Sequence, residues 1–345
     1  MQTERNDKMS LKIFLRDRII FPLTELLPVA LRNKLKMVGT CCFGEGWRYF
    51  YFTYWADEFE NISESEVKNL YSGLSEHSLK VLLDYLRYCH LTSELRKNMD
   101  IGKNDSIIVP MENLFPNLQK KQSFEEKVCR QLAAKTCFGG FAPESGCYHH
   151  GLTLVQPEIL EYIKNKFFVD LGAFNGDSAF VLAKYGPEKI LAFEPSVING
   201  ELCRRNMEKS GIDNVEIIQV GISDEFGTMQ LSENKSGTSL GDNGEYEVEV
   251  VTVDGFLQQH AYGKIGLIKA DLEGMGLKMV KGAVETIKRD RPVLLLAIYH
   301  NKDEFMGIYE FLKKNVPDYH YRVEALSGLS EVTLIAWPEE ADAKH

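Results

Sequence analysis

The sequence predicts an α/β protein built on a mostly parallel sheet, with a mainly helical region ahead of it. Three observations carry the prediction. From Phe167 onward, short apolar runs alternate with amphipathic segments of helical length. The first of those runs ends in a glycine-bearing turn that opens directly into a helix. Upstream of residue 150, capping sequences and leucines at helical spacing dominate.

The helical part is read from its ends and faces. Ser63 and Glu66 form an S-x-x-E capping box, in which side chain and backbone satisfy each other's free amides. Ser123 and Glu126 form a second, ahead of a helix expected over Phe124 to Lys135. Leu79, Leu82, Leu83 and Leu86 line one face of the helix between them. Gly139-Gly140 closes this part, and Phe141 to Gly151, with the pair His149-His150, reads as a loop.

Strands are expected at Phe167–Leu171, Lys189–Glu194, Val215–Val220, Ile265–Ala270 and Val293–Ile298. Tyr321–Ala325 and Val332–Trp337 close the chain. A hairpin-like excursion, Thr228–Leu231 and Glu247–Val253, interrupts the alternation, and Ser232–Tyr246 between them should be mobile. Helices are expected over Ser178–Tyr185, Asn199–Ser210, Leu277–Arg289 and Asp303–Asn315.

Length and charge agree with two units. The chain has 345 residues, 44% apolar and 26% charged, enough for a sizeable core. Its net charge is −10. Residues 1–150 carry 20 basic and 19 acidic groups, residues 151–345 carry 20 and 31. The division expected is therefore a helical region at 1–150, serving acceptor or subunit contacts, and an acidic α/β domain at 151–345. A general nucleic-acid binder would show the opposite charge. Seven cysteines, an odd number without C-x-x-C, point to free thiols in a reducing cytoplasm and not to a disulfide framework or zinc site. Leu11 to Leu35 is the most apolar stretch, but Asp17, Arg18, Glu25, Pro22 and Pro28 break it, so short packed helices and no stable membrane insertion are expected.

The sharpest signal is the turn Asp170-Leu171-Gly172-Ala173-Phe174-Asn175-Gly176-Asp177-Ser178. Its glycines let the backbone turn tightly and approach a ligand, which then meets the first amides of a helix. Dinucleotides and S-adenosylmethionine both use this layout. A dinucleotide fingerprint needs G-x-G-x-x-G; here Asp170 stands where the first glycine would, and a carboxylate repels a pyrophosphate but suits an ammonium and a sulfonium. The next strand ends Phe193-Glu194-Pro195, placing an acid where ribose hydroxyls are held in related sites.

Phe168 to Ser178, Phe193-Glu194-Pro195-Ser196, Ile268-Lys269-Ala270-Asp271-Leu272-Glu273-Gly274 and Ala297-Ile298-Tyr299-His300 with Asp303 resemble, in this order and spacing, the FkbM-type methyltransferases. The resemblance covers residues 145–338. It implies a class I, Rossmann-like fold with a seven-stranded, mostly parallel sheet, S-adenosylmethionine as donor, and O-methylation of a sugar, glycan or other hydroxylated small metabolite. Carried over residue by residue, the donor site takes Asp170, Gly172, Ala173, Phe174, Asn175, Gly176, Asp177 and Ser178 around the methionine end. Glu194 and Pro195 fall at the ribose, Ser223 and Asp224 at the adenine, and Asp271 by the methyl group. One departure stands out. The family pattern continues E-G-x-E, and here it reads Glu273-Gly274-Met275-Gly276, so the second acid is missing.

Methyl transfer to an alcohol needs a base for the attacking hydroxyl. Asp271, Glu273 and His300 are the candidates, all at C-terminal ends of strands, where ligands bind in open α/β sheets. An acid pair there would also suit Mg²⁺, although the glycine at 276 removes one ligand, and no metal site is assigned. A homo-oligomer is compatible with the sequence. Two other functions stay open at this point: an NAD(P)-dependent oxidoreductase on a related fold, and a non-catalytic binding protein.

Overall fold

The computed structural model describes residues 48–50, 54–98, 107–109, 118–234, 237–241, 244, 246–329 and 331–342. The segment Leu11–Leu35 lies outside them. The described chain divides into a small unit, within 1–61 and 87–121, and a large one, 62–86 with 122–345.

In the small unit, Arg48–Phe50 pairs antiparallel with Ile107–Val109. A 3₁₀ turn, Tyr54–Phe59, is tied to the helix Glu76–Asn98 by Ser93, whose hydroxyl donates to Asp57 at 2.7 Å, and by the His90 ring, 2.9 Å from the Phe59 carbonyl.

The large unit is organised by a seven-stranded sheet. Its strands are β1 (Phe167–Leu171), β2 (Ile190–Phe193), β3 (Val215–Ile218), β4 (Ile265–Ala270), β5 (Val293–Ala297), β6 (Tyr319–Ala325) and β7 (Val332–Pro338). They lie in the order β6-β7-β5-β4-β1-β2-β3. β1 to β5 run parallel, and β7 pairs antiparallel with both β5 and β6. This is the expected architecture. Every residue of β1, β2, β4, β5 and β7 is buried, as strands covered on both faces require. Each such Val, Leu, Ile or Phe side chain contributes about 1.5–3 kcal/mol of burial.

Several elements differ from the sequence reading. Ser123 does not cap a helix, because the helix runs Leu118–Ala133 and contains it. Gln119, Lys120, Lys121 and Gln122 are strong helix formers and carry the helix upstream. Phe141–Gly151 holds a short helix, Pro143–Gly146, started by its proline. The expected third strand divides: β3 stops at Ile218, and Gly221–Ile222 joins a second sheet. That four-stranded sheet also contains Gly227–Asn234, Gly237–Gly241 and Tyr246–Val251. The strand Gly237–Gly241 lies in the segment expected to be mobile; ladder bonds to Gln230–Asn234 outweigh its turn-forming composition. The helix over Leu277–Arg289 breaks at Ala283 into Gly276–Gly282 and Val284–Asp290, where Gly282 presses on the Ser223 carbonyl. The last helix begins as a π-helical turn, Asp303–Gly307, before Ile308–Asn315.

Residues 62–86 belong with this unit. Their first helix, Glu64–Leu70, starts with the Ser63–Glu66 capping box as read. Leu82, Leu83 and Leu86 are buried and Leu79 half-buried. Ser78 is buried, and its hydroxyl accepts the Val323 amide of edge strand β6 at 3.0 Å. His77 sits 2.9 Å from Glu324 of the same strand. These contacts close an edge that would otherwise present unpaired amides. Tyr71 and Tyr85, both buried, donate to the Phe305 and Tyr299 carbonyls.

Replacing Ser78 with alanine leaves the buried Val323 amide without its acceptor. The expected loss is about 1–3 kcal/mol, read as a lower urea midpoint at unchanged m-value.

Candidate active site

The site is built at the C-terminal ends of β1, β2, β4 and β5, and its floor is one buried ion pair. Asp170 of β1 and Lys269 of β4 stand opposite each other in the parallel register. Lys269 Nζ lies 3.1 Å from Asp170 Oδ1 and donates to the carbonyls of Gly172 at 2.8 Å and Leu171 at 3.4 Å. The ammonium thus gives two hydrogen bonds to backbone carbonyls and faces Asp170 at ion-pair distance. Burial disfavours the Lys269 charge, yet the carboxylates of Asp170 and Asp271 outweigh it and hold its pKa above the ordinary lysine value. Ser178 Oγ donates to the other oxygen of Asp170 at 2.6 Å. Asp170 is therefore wholly engaged in fixing the turn to the helix Asp177–Leu182 that follows it.

Gly172 takes φ +77°, and a Cβ there would collide with the carbonyl of Asp271, so turn and β4 terminus touch backbone to backbone. Ala173 is buried, and its amide and that of Gly172 both donate to the Phe193 carbonyl at 3.0 Å. Phe174 is held at φ +46°, with its amide donating to Glu194 Oε2 at 2.9 Å. Asn175 Oδ1 accepts the Asp177 amide at 3.1 Å, and its carbonyl accepts from Asn206 at 2.9 Å. Gly176 faces Cys203 and Met207, so its missing side chain makes room for a helix. Asp177 accepts the Ser178 amide, and burial raises its pKa.

Glu194 is buried at the end of β2 and bridges two loops. One oxygen holds Phe174, and the other accepts the Ser196 amide at 3.0 Å across half-buried Pro195. Ser196 in turn caps the helix Val197–Ser210. Ser223 and Asp224 follow the short strand Gly221–Ile222. A side-chain hydrogen bond of 3.2 Å joins them, and both press on Gly282.

The structure brings the three candidate bases together. His300 is buried, with Nε2 at 3.2 Å from Asp271 and 3.7 Å from Glu273. Its Nδ1 lies 2.8 Å from Glu304. Burial works against the imidazolium, but the charge and hydrogen bonds of Glu304 and Asp271 prevail and raise its pKa well above the ordinary value. The ring is hydrogen-bonded through Nδ1 to Glu304, while Nε2 faces Asp271 and Glu273 at ion-pair distance, so carboxylates on both sides favour the imidazolium over the free base. Burial also opposes the Asp271 charge, but His300 and Lys269 hold its carboxyl down at about 2. Glu273 behaves oppositely. Burial, with Asp271 and Glu304 nearby, lifts it to about 7 against the pull of His300. Its side chain is 31% exposed, and its backbone sits at φ +49°.

Behind Asp271 lies a small cavity of about 10 Å³, lined by Glu144, His150, Lys269, Asp271, Glu331 and apolar neighbours. Burial, reinforced by Asp271, lifts Glu331 to about 8 and pushes Glu144 upward. Burial lowers His150 to about 3. Among the described residues no group of three or more His, Cys, Asp or Glu is arranged to hold a metal ion.

Sequence reasoning missed Lys269, Glu304, Glu331 and Glu144. Lys269 had a signal, since a lysine inside the apolar run Ile265–Ala270 needs a buried acid as partner. Glu304 lay four residues beyond His300, at helical spacing. Glu144 and Glu331 reach the site only through the fold.

The sheet order and the glycine turn define a class I methyltransferase fold. The structure superposes on that of the methyltransferase FkbM from Methylobacillus flagellatus with a TM-score of 0.52 at 19% identity, over 83% of this chain and 61% of that one. Residues 170–323 match the methyltransferase FkbM domain family. Methyltransferase sdnD of Sordaria araneosa is 26% identical over 37% of this chain and 64% of its own length. The chain thus spans under two thirds of either relative's length.

Two outcomes follow from the charges. Lys269→Ala leaves Asp170 as an uncompensated buried charge and should lower stability by about 3–5 kcal/mol, with Asp170→Asn in the same chain restoring part, measured by urea unfolding. The raised acids should also make stability fall as pH rises, opposed up to about 6.5 by His150, which the folded chain keeps neutral. Glu331, at about 8 in the folded chain against 4.5 unperturbed, keeps a proton that the unfolded chain has released, and Glu273 does so up to about 7. The raised His300 contributes in the same direction, losing its stabilisation as pH climbs toward its folded pKa. Glu331→Gln should flatten the slope of urea midpoint against pH between 4.5 and 8; an unchanged slope would refute the assignment.

Proposed function

We propose that the chain is an S-adenosylmethionine-dependent methyltransferase acting on a hydroxyl of a sugar, glycan or other small hydroxylated metabolite. The observation that carries the reading is the pinned turn: Glu194, buried at the end of β2, holds the Phe174 amide beside the acid-rich ends of β4 and β5. The residues present fit the donor. Gly172 brings backbone to the mouth of β4 without a side chain, and Glu194 stands where ribose hydroxyls need an acceptor. Gly172 to Asn175 would line the methionine end, Glu194 and Pro195 the ribose, and Ser223 and Asp224 the adenine. Asp170 and Ser178 act by shaping that turn through Lys269. When bound, S-adenosylmethionine supplies a methyl group already activated on a sulfonium.

The chain's own task is then alignment and one proton transfer. Glu273 is the acceptor's base in this reading, because it is the partly exposed acid with a pKa near neutrality. Asp271 stays ionised beside it and orients the hydroxyl. His300 holds both acids in place from beneath as a cation. The acidic balance of residues 151–345 speaks for a small neutral or cationic acceptor over a polyanion.

Titration calorimetry with S-adenosylmethionine and with NADH tests the donor. Binding of the first is expected, and Glu194→Ala should weaken it about 10- to 100-fold, as loss of charged hydrogen bonds predicts. Tight NADH binding with none of S-adenosylmethionine would overturn the reading. Incubation of fractionated cell extract with methyl-labelled donor tests the acceptor. Label in carbohydrate or small-metabolite fractions supports it, and label confined to nucleic acid refutes it.

A further inference from the structure

We propose that Glu304 takes over, from another element, the place of the acid that residue 276 lacks, and that it is the positioning residue that fixes His300 against Asp271 and Glu273. The resemblance puts an acid at the fourth position of Glu273-Gly274-Met275-Gly276. The structure shows what fills the space. The Gly276 amide donates to Glu304 Oε1 at 2.8 Å. A Cβ built on Gly276 would lie 2.8 Å from that same oxygen and 3.2 Å from the carboxyl carbon. Gly276 is absent from the residues at positive φ, so its backbone does not demand glycine. The Glu304 carboxylate, with Ile308 Cδ1 at 3.1 Å, occupies the space a side chain there would take.

The second oxygen of Glu304 completes the arrangement. It lies 2.8 Å from His300 Nδ1 and accepts the His300 amide at 3.3 Å. The carboxylate thus joins the start of the helix Gly276–Gly282 to the loop after β5. Asn301 reinforces the junction: its Oδ1 accepts the Glu304 amide at 2.8 Å, and its amide nitrogen donates to the Gly274 carbonyl at 2.9 Å. The π-helical turn Asp303–Gly307 places Glu304 here, buried and aimed back at the ring four residues earlier. With Nδ1 committed to Glu304, Nε2 carries its proton toward Asp271 and Glu273, which is the orientation the site uses.

On this proposal one carboxylate is needed at this point, and here residue 304 supplies it in place of residue 276. Its catalytic consequence rests on the methyltransferase reading. The state of the His300 ring does not, and it can be measured on the protein without donor or acceptor.

Imidazole titration by NMR provides the test, with the His300 signal identified among eight histidines by its loss in His300→Gln. The groups facing the ring are Glu304, Asp271, Glu273 and Glu331, with Tyr299 beside it. Glu304→Gln keeps the shape but cannot pair with an imidazolium. It should bring the His300 titration down by at least about one pH unit. Glu304→Ala should do the same, and adding Gly276→Glu to it should move the titration back toward the wild type; if Glu304→Ala does not fold alone, recovery of folding on adding Gly276→Glu is the same result. An unchanged titration in Glu304→Gln, or a double variant no nearer the wild type than Glu304→Ala, overturns the proposal. Calorimetry with S-adenosylmethionine on the same variants keeps the two readings apart, since loss of donor binding in the wild type would sink the activity and leave the ring's behaviour standing.

Discussion

The buried pair of Lys269 and Asp170 is the interaction on which the rest of the site depends. It lies between the two central strands, where neither charge can be hydrated. An ion pair in such a place adds little net stability compared with two apolar side chains, but losing one member is costly. What it provides is position. The ammonium reaches past Asp170 to the Leu171 and Gly172 carbonyls, so the strand end and the start of the turn are held by one group. Everything above is placed relative to that point: Gly172 against Asp271, Phe174 under Glu194, and Ser178 at the head of its helix.

On this floor the site stores strain and charge together. Phe174 and Glu273 both occupy left-handed backbone conformations that side chains disfavour, at a cost of order 1–3 kcal/mol each. Each is fixed by neighbours, Phe174 by Glu194 and Glu273 by the turn that ends β4. The carboxylates around His300 repel one another and are held together by a single shared cation. Burial opposes the charge on both acids; His300 and Lys269 overcome it at Asp271, and it prevails at Glu273, which lies farther from the ring. Two acids two residues apart thus differ in affinity for a proton: Asp271 is ionised throughout the neutral range, and Glu273 gains and loses its proton within it.

Much of this was legible in the sequence. The strands of the large sheet follow from apolar runs bounded by turns, and β1, β4 and β5 came out nearly to the residue because they are buried on both faces. That Asp271, Glu273 and His300 lie together could be read because strand C-terminal ends converge in a parallel sheet. What was not legible depends on distance. Glu331 and Glu144 enter the site from segments far apart in the chain, and no local pattern marks them. The break at Ala283 answers to a carbonyl of another sheet, and the strand Gly237–Gly241 to its partner's ladder, each overriding local propensity. Ser123 illustrates the reverse error, a capping pattern inside a helix whose upstream residues were good enough to extend it.

The segment 62–86 belongs to the compact body that carries the candidate site. Its tyrosines 71 and 85 hold the two carbonyls that flank His300 and Glu304, and its Ser78 covers the exposed rim of the sheet. A chain shortened to residues 122–345 would keep every group named in the proposed reaction. It would also leave strand β6 open to pairing with another molecule and the histidine loop without its outer braces. The compact unit that carries the motifs is thus discontinuous in sequence, and an excision that keeps only its longer segment would favour self-association.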